Sequence, residues 1–233
     1  MVEESNLNYK KENPYREIAL DISQNFLPGS KVIGLGSGSS VASTLIQLKK
    51  VSKCEGLVFV PTSIQIKIVA ESLGLRFVDE GKIPEIDFVF DGADQIDSNF
   101  NLIKGGGGAL LKEKILIEVT KAFVIIADTF KFVDTFKIPV PIEVHPFARM
   151  SVINHLEEMG LLPKLRLLAK GYPYITENGN LVYDAAFSPI NDFRRMTAMI
   201  KSVPGVIEVG LFTRRANRFY SINPDQTYSI LVP

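Results

Sequence analysis

Three short segments of the chain hold residue types that could do chemistry. Asp91-Gly92-Ala93-Asp94-Gln95-Ile96-Asp97 places three carboxylates within seven residues. Such a set could bind a divalent metal, shuttle protons, or hold sugar hydroxyls by charge-assisted hydrogen bonds. A plain acidic turn is the alternative. The metal reading is weakened because no histidine lies nearby and the segment that follows is rich in lysine. Neighbouring carboxylates raise each other's pKa unless a cation intervenes, and Lys104 is the candidate cation. It opens Lys104-Gly105-Gly106-Gly107-Gly108, and four glycines in a row, costly to order, point to close approach of backbone to a ligand. Glu113 follows nine residues after Lys104, about four residues into a helix expected from Ala109, and could turn toward the same cleft. Between Lys112 and Lys114 it also reads as an ordinary solvated position.

The third segment is Gly34-Leu35-Gly36-Ser37-Gly38-Ser39-Ser40. A glycine-rich turn from strand to helix lets backbone N–H groups approach an anion at the helix N-terminus. The dinucleotide fingerprint fails, since Ser39 stands where its third glycine belongs and Val60-Pro61-Thr62 offers no acidic ribose ligand. The Walker pattern fails as well, for want of a Lys-Ser or Lys-Thr after the turn. Either a small phosphate pocket with the hydroxyls of Ser37, Ser39 and Ser40, or a tight turn with N-caps, remains.

The elements that must position these groups follow from hydrophobic period. Tyr15 to Phe26 predicts an amphipathic helix stopped by Pro28-Gly29. Strands are expected at Lys31–Leu35, Leu57–Val60, Ile86–Phe90 and Phe123–Ala127, with helical segments between them, which argues for a parallel sheet covered on both faces. Ser37, Thr62, Asp91 and Asp128 then all lie just past strand C-termini, where open α/β sheets bind ligands. Beyond Lys137 the pattern changes to strand, helix, strand, strand, helix, strand: Ile138–Val144, Ala148–Met159, Leu165–Leu168, Leu181–Ala185, Asn191–Lys201 and Val206–Phe212. That order suggests a small α+β unit of the split βαβ kind. A strand at Arg218–Ile222 returns the chain to the first unit.

Composition bounds the rest. The 233 residues carry 26 Lys and Arg against 26 Asp and Glu, with 46% hydrophobic residues. This fits a globular α/β protein with a real core and argues against a nucleic-acid partner, whose affinity rests on basic excess. The clusters Lys49-Lys50 and Arg214-Arg215 with Arg218 read as solvated surface. No apolar run approaches the roughly 18 residues of a membrane helix, so no membrane partner is expected. The polar start and the lone Cys54, read as an incidental surface residue, suggest a cytoplasmic protein. His145 and His155 receive no catalytic role.

Taken in order, GLGSGSS, PTSIQ, DGADQID, LIKGGGGALLKEKI, FVIIADTFKFVD, PVPIEVHPFA, ITENGN and PGVIEVGLF resemble the type A ribose-5-phosphate isomerases, from about residue 15 to the C-terminus. The resemblance implies a Rossmann-like parallel-sheet domain, residues 1–137 plus 213–233, with an inserted ferredoxin-like α+β lid and oligomerisation domain, residues 138–212. It implies interconversion of ribose 5-phosphate and ribulose 5-phosphate through an enediolate in the non-oxidative pentose phosphate pathway, with neither metal nor organic cofactor. By the same resemblance Glu113 is the general base, Lys104 stabilises the oxyanion, and Asp91 and Asp94 bind sugar hydroxyls and assist ring opening. Ser37, Gly38, Ser39, Ser40, Gly105, Gly106, Gly107 and Lys131 bind the phosphosugar, and a homodimer or homotetramer is expected. The chain departs from the family pattern at Ser37 and Ser40 (usually Thr), Gln95 (usually Glu), Phe130 (usually Ser), and at Tyr15-Arg16, where a phosphate-binding lysine is usual and Arg16 could substitute. A non-catalytic phosphosugar sensor, and an amino-sugar phosphate isomerase/deaminase or coenzyme A transferase, are the competing readings; the DGAD and KGGGG pair speaks against the second group.

Overall fold

The computed structural model describes residues 13–78, 85–187 and 192–233. Asn13 caps α1 (Pro14–Asn25) by accepting from the Tyr15 amide, and Pro14 occupies a position that needs no N–H partner. Ile18, Ala19 and Ile22 form its buried stripe. The chain then alternates: β1 (Val32–Leu35), α2 (Ser39–Val51), β2 (Val58–Pro61), α3 (Ile64–Ser72) and β3 (Ile86–Asp91). A short hairpin, β4 (Gln95–Ile96) and β5 (Leu102–Ile103), leads into α4 (Leu110–Val119) and β6 (Thr120–Asp128). The next unit is β7 (Val140–Val144), α5 (Arg149–Glu158), β8 (Leu162–Leu165), β9 (Leu181–Ala186), α6 (Phe193–Lys201) and β10 (Val206–Val209). β11 (Leu211–Phe212), β12 (Arg218–Ile222) and β13 (Tyr228–Leu231) complete the chain.

Among the described residues, the main sheet runs β13-β12-β6-β3-β1-β2, parallel except for the β13 edge. Its inner strands are apolar on both faces, with Ile33, Leu35, Phe88, Phe90, Val124 and Ile126 packed toward α1 and α2, and Ile86, Val89, Phe123 and Ile125 packed toward α4. Burial on two sides explains the continuous apolar runs. The smaller sheet has the order β10-β7-β9-β8 and is antiparallel throughout, the arrangement expected of a ferredoxin-like unit. Its core is Ile142, Val144, Val152, Leu156, Tyr183 and Ile200 among others. The chain is thus an α/β protein with a Rossmann-like sheet and a smaller α+β unit inserted before the last strands.

Several local expectations change. The strand expected at Leu165–Leu168 lies at Leu162–Leu165 instead, because the chain reverses at Gly160 straight into pairing with β9. The single strand expected at Val206–Phe212 is two, divided at Gly210. There the chain leaves β7 for β5: Gly210 donates to Pro141 O at 2.7 Å and accepts from the Lys104 amide at 2.9 Å. A side chain would not fit, since a Cβ would stand 2.3 Å from Lys104 O. The resulting sheet β11-β5-β4 joins the two larger ones and holds the backbone of Lys104. Residue 191, expected to start a helix, lies outside the described residues; α6 opens at Phe193, capped by Asp192. Cys54 is buried in the main core, not on the surface. Of the basic clusters, Lys49 and Lys50 are exposed. Arg214, however, donates to the carbonyls of Ile117 and Thr120, and Arg218 pairs with Asp21, so these two tie elements together.

Candidate active site

Parallel pairing of β1 with β3 sets Leu35 opposite Phe90, and the Gly36 amide then donates to Phe90 O at 3.0 Å. This brings Gly36 against Asp91. A Cβ on Gly36 would lie 1.9 Å from Asp91 Oδ1, so only glycine lets that carboxylate turn inward. Asp91 is 1% exposed, and its Oδ1 accepts from the Gly92 amide at 2.7 Å. Lys104, just after β5, is also buried, and its Nζ sits 2.9 Å from Asp91 Oδ2 and 3.2 Å from Glu113 Oε2. The same ammonium donates to Gly92 O at 2.6 Å. Glu113 occupies the first turn of α4, where a negative charge is favoured by the helix dipole, and its Oε1 accepts from Ser37 Oγ at 2.6 Å.

One cation between two buried carboxylates sets the titration of the cluster. Burial, followed by the charge of Glu113, pushes the Asp91 carboxyl up to about 7 against the pull of Lys104. Burial works against the charged form of Lys104, but Asp91 and Glu113 outweigh it and hold the ammonium above its usual value. The cluster therefore keeps a fixed positive charge beside Glu113 and a carboxyl that gains or loses a proton near neutral pH.

Above it opens a cleft of about 490 Å³ at the C-terminal end of the main sheet. Ser37, Gly38, Ser39, Ser40, Asp94, Lys104, Gly105, Gly106, Gly107, Glu113 and Lys131 all line it. Asp94 Oδ2 accepts from the Gly106 amide at 2.6 Å, and Lys131 Nζ donates to Ala93 O at 2.9 Å. Ser39 and Ser40 open α2, so their end of the cleft has the amides and dipole that favour an anion. Asp91 does not line the cleft; it lies beneath and reaches it through Lys104. Thr62 and Asp128 stay outside the cleft wall although they end neighbouring strands. Arg16 pairs with Glu17 at 2.8 Å and Tyr15 packs on the core, and neither is part of the cleft wall. Gln95 accepts from the Lys137 and Ile138 amides, a structural task that needs no charge. Phe130 is largely exposed beside Lys131. His145 and His155 are exposed away from the cleft, and no group of three or more metal-ligating side chains gathers among the described residues.

Sequence reasoning passed over three polar side chains of the cleft wall. Gln65 Oε1 accepts from the Gly38 amide at 3.0 Å, and Ser63 lies beside it. Glu177 reaches in from the smaller unit, accepting from the Ile64 amide at 2.7 Å and pairing with Lys112 at 3.3 Å. Each stands in a quoted motif, PTSIQ or ITENGN, but only the register of the fold brings the two motifs together.

A parallel sheet with a buried carboxylate–lysine–carboxylate cluster under a cleft at its strand ends defines an α/β enzyme equipped to move protons on a small ligand. The family model of ribose 5-phosphate isomerase A (phosphoriboisomerase A) matches residues 58–226. The chain belongs to that family. It is 38% identical to a ribose-5-phosphate isomerase of Schizosaccharomyces pombe over 90% of this chain and 79% of that protein. It is 37% identical to one from Dictyostelium discoideum over 96% of this chain and 97% of that protein. A solved D-ribose-5-phosphate isomerase in complex with phospho-erythronic acid superposes with a TM-score of 0.84, at 35% identity, covering 94% of this chain and 98% of that one. No described helix is long and apolar enough to cross a membrane.

Proposed function

We propose that this chain interconverts D-ribose 5-phosphate and D-ribulose 5-phosphate in the non-oxidative pentose phosphate pathway, with Glu113 as the base. The observation that carries the reading is the Glu113 carboxylate in the cleft wall, held between the Ser37 hydroxyl and the Lys104 ammonium. Isomerisation of the open aldose moves one proton from C2 to C1. Glu113 takes the C2 proton while the electron pair passes to O1, giving an enediolate; the same carboxyl then returns the proton to C1 as O2 becomes the ketone. The proton of O2 moves to O1, so the net change is an isomerisation without loss or gain of atoms. Lys104 stabilises the negative charge that develops on the oxygens, in a site dry enough for that charge to count.

Asp94, in the cleft, binds sugar hydroxyls and assists ring opening, while Asp91, one layer down, fixes the charge and position of Lys104. The α2 N-terminus, with Gly38, Ser39, Ser40 and Lys131, takes the phosphate, and Gly105–Gly107 form the facing wall. The phospho-erythronic acid held by the solved isomerase is a phosphorylated sugar acid, which supports a ligand of this class for the cleft. On this reading residues 1–137 and 213–233 are the catalytic domain, and residues 138–212 are the lid and subunit-contact domain. Leu162, Leu167, Leu168, Tyr172 and Ile175 are exposed on the lid, which supports a homodimer or homotetramer. Cytoplasm is the compartment that suits a protein of this kind with a single, unpaired cysteine. Purified protein given ribose 5-phosphate should form the ketose; no ketose, or ammonia released from glucosamine 6-phosphate, would overturn the assignment.

A further inference from the structure

The glycine loop is gripped from outside the cleft by two lid side chains that no motif marked. Arg166 is locked in place by a forked pair with Asp184 of β9, Nε to Oδ2 at 2.9 Å and Nη2 to Oδ1. Its backbone is fixed on both sides, the amide donating to Val182 O and the carbonyl accepting from Tyr174 N. The remaining nitrogen, Nη1, donates to Gly105 O at 2.8 Å and to Gly106 O at 3.0 Å. The guanidinium stands 5.8 Å from the centre of the Tyr174 ring, and the Tyr174 hydroxyl donates to the next carbonyl, Gly107 O, at 2.8 Å. Three successive carbonyls of a segment with no side chains of its own are thus held by two side chains packed on each other.

Peptide planarity carries this grip into the cleft. The carbonyl of Gly105 and the N–H of Gly106 belong to one trans unit and point in opposite directions. Arg166 holds the oxygen end, and Asp94 Oδ2 accepts from the nitrogen end at 2.6 Å. The unit lies between a lid cation and a cleft carboxylate, each polarising it in the same sense. Lys104 precedes it directly in the chain. A run of glycines has many other conformations available at little cost, so without the grip this plane could turn and take Asp94 with it.

We propose that Arg166 is a positioning residue for the isomerisation, orienting the glycine loop, and through it Asp94 and Lys104, from the lid side. This rests on the isomerase reading, so wild-type turnover of ribose 5-phosphate is measured first. A silent wild type defeats that reading, whereas an active wild type with indifferent variants defeats only the present inference. Arg166→Ala should lower kcat by ~10²-fold, the scale expected when reacting groups are displaced by about 1 Å, with KM moved far less. Guanidinium ion at low millimolar concentration should restore part of kcat, whereas equal urea or sodium chloride should not; a side chain needed only for folding would show no such rescue. Unchanged kcat, or loss without rescue in a variant that melts like wild type, overturns the proposal. Should Arg166→Ala fail to fold, Tyr174→Phe decides, since it removes only the hydroxyl on Gly107 O. A lower kcat at unchanged melting temperature supports the grip, and unchanged kcat refutes it.

Discussion

Replacing the buried ammonium tests the electrostatics of the site most severely. Lys104→Met keeps a side chain of similar length but removes the cation from between Asp91 and Glu113. The oxygens that face Nζ lie 2.9 and 3.2 Å from it. They are therefore within about 6 Å of each other, and two unit charges at that distance repel by about 3 kcal/mol at an effective dielectric constant near 20. That agrees with the ~3–5 kcal/mol lost when one partner of a buried pair is removed, and for a chain of this size it translates to a melting temperature lower by roughly 6–20 °C. The loss depends on pH. A carboxyl whose pKa is raised from 3.8 to about 7 on folding contributes stability that is present below 3.8 and lost as pH rises through 7. Lys104 is one of the influences lowering that value, so in the variant it rises further and the loss continues to higher pH. Thermal melts followed by circular dichroism should therefore show a wide gap between wild type and variant at pH 8. At pH 5, where Asp91 is protonated in both, the gap should narrow to what the Lys104–Glu113 pair contributes. An equal gap at both pH values, or none at pH 8, would refute the cluster's electrostatic account.

Three further variants separate geometry from charge. Gly36→Ala should abolish activity and destabilise the fold by at least the ~1–3 kcal/mol of an overpacked core, because its Cβ would enter the Asp91 carboxylate. Gly38→Ala has open space around it and bears only backbone strain, about 1–3 kcal/mol at its φ of +92° and ψ of 179°, a region essentially reserved for glycine; a Gly36→Ala variant that melts no lower than Gly38→Ala would count against the close approach at Gly36. Asp91→Asn removes the carboxyl whose protonation favours folding at low pH. The melting temperature of the variant relative to wild type should rise between pH 4 and pH 8, and a constant difference would show that Asp91 does not titrate in that window.

The main sheet was legible because its strands are buried on both faces and read as apolar runs. The spacing of Lys104 and Glu113 put the carboxylate in the first turn of α4 but left it readable as a solvated position, and only the family resemblance joined the two; the structure sets them 3.2 Å apart. The depth of Asp91 was not. A strand-end position says that a residue lies at the edge of the sheet, but only the contact with Gly36 buries this one under Lys104. The break at Gly210 was hidden for a similar reason: a single glycine in the otherwise strand-like run Val206–Phe212 does not by itself end a strand, and the division depends on backbone from two other strands. Arg166 and Tyr174 were invisible because they bind carbonyls, which every residue has, 60 positions and more from their own place in the chain. Arg16, half-exposed and paired with Glu17, stands outside the cleft wall.

The measurement closest to the central claim is proton transfer itself, followed by NMR on ribose 5-phosphate in D₂O with wild type and Glu113→Gln. The amide keeps the shape and the Ser37 contact but cannot act as a base, so it should still bind the substrate while turnover falls by ~10²-fold or more. Wild type should produce ribulose 5-phosphate with solvent deuterium at C1, as the enediolate requires when the transferred proton exchanges with water. Glu113→Gln turning over near the wild-type rate, with deuterium still entering at C1, would contradict Glu113 as the base.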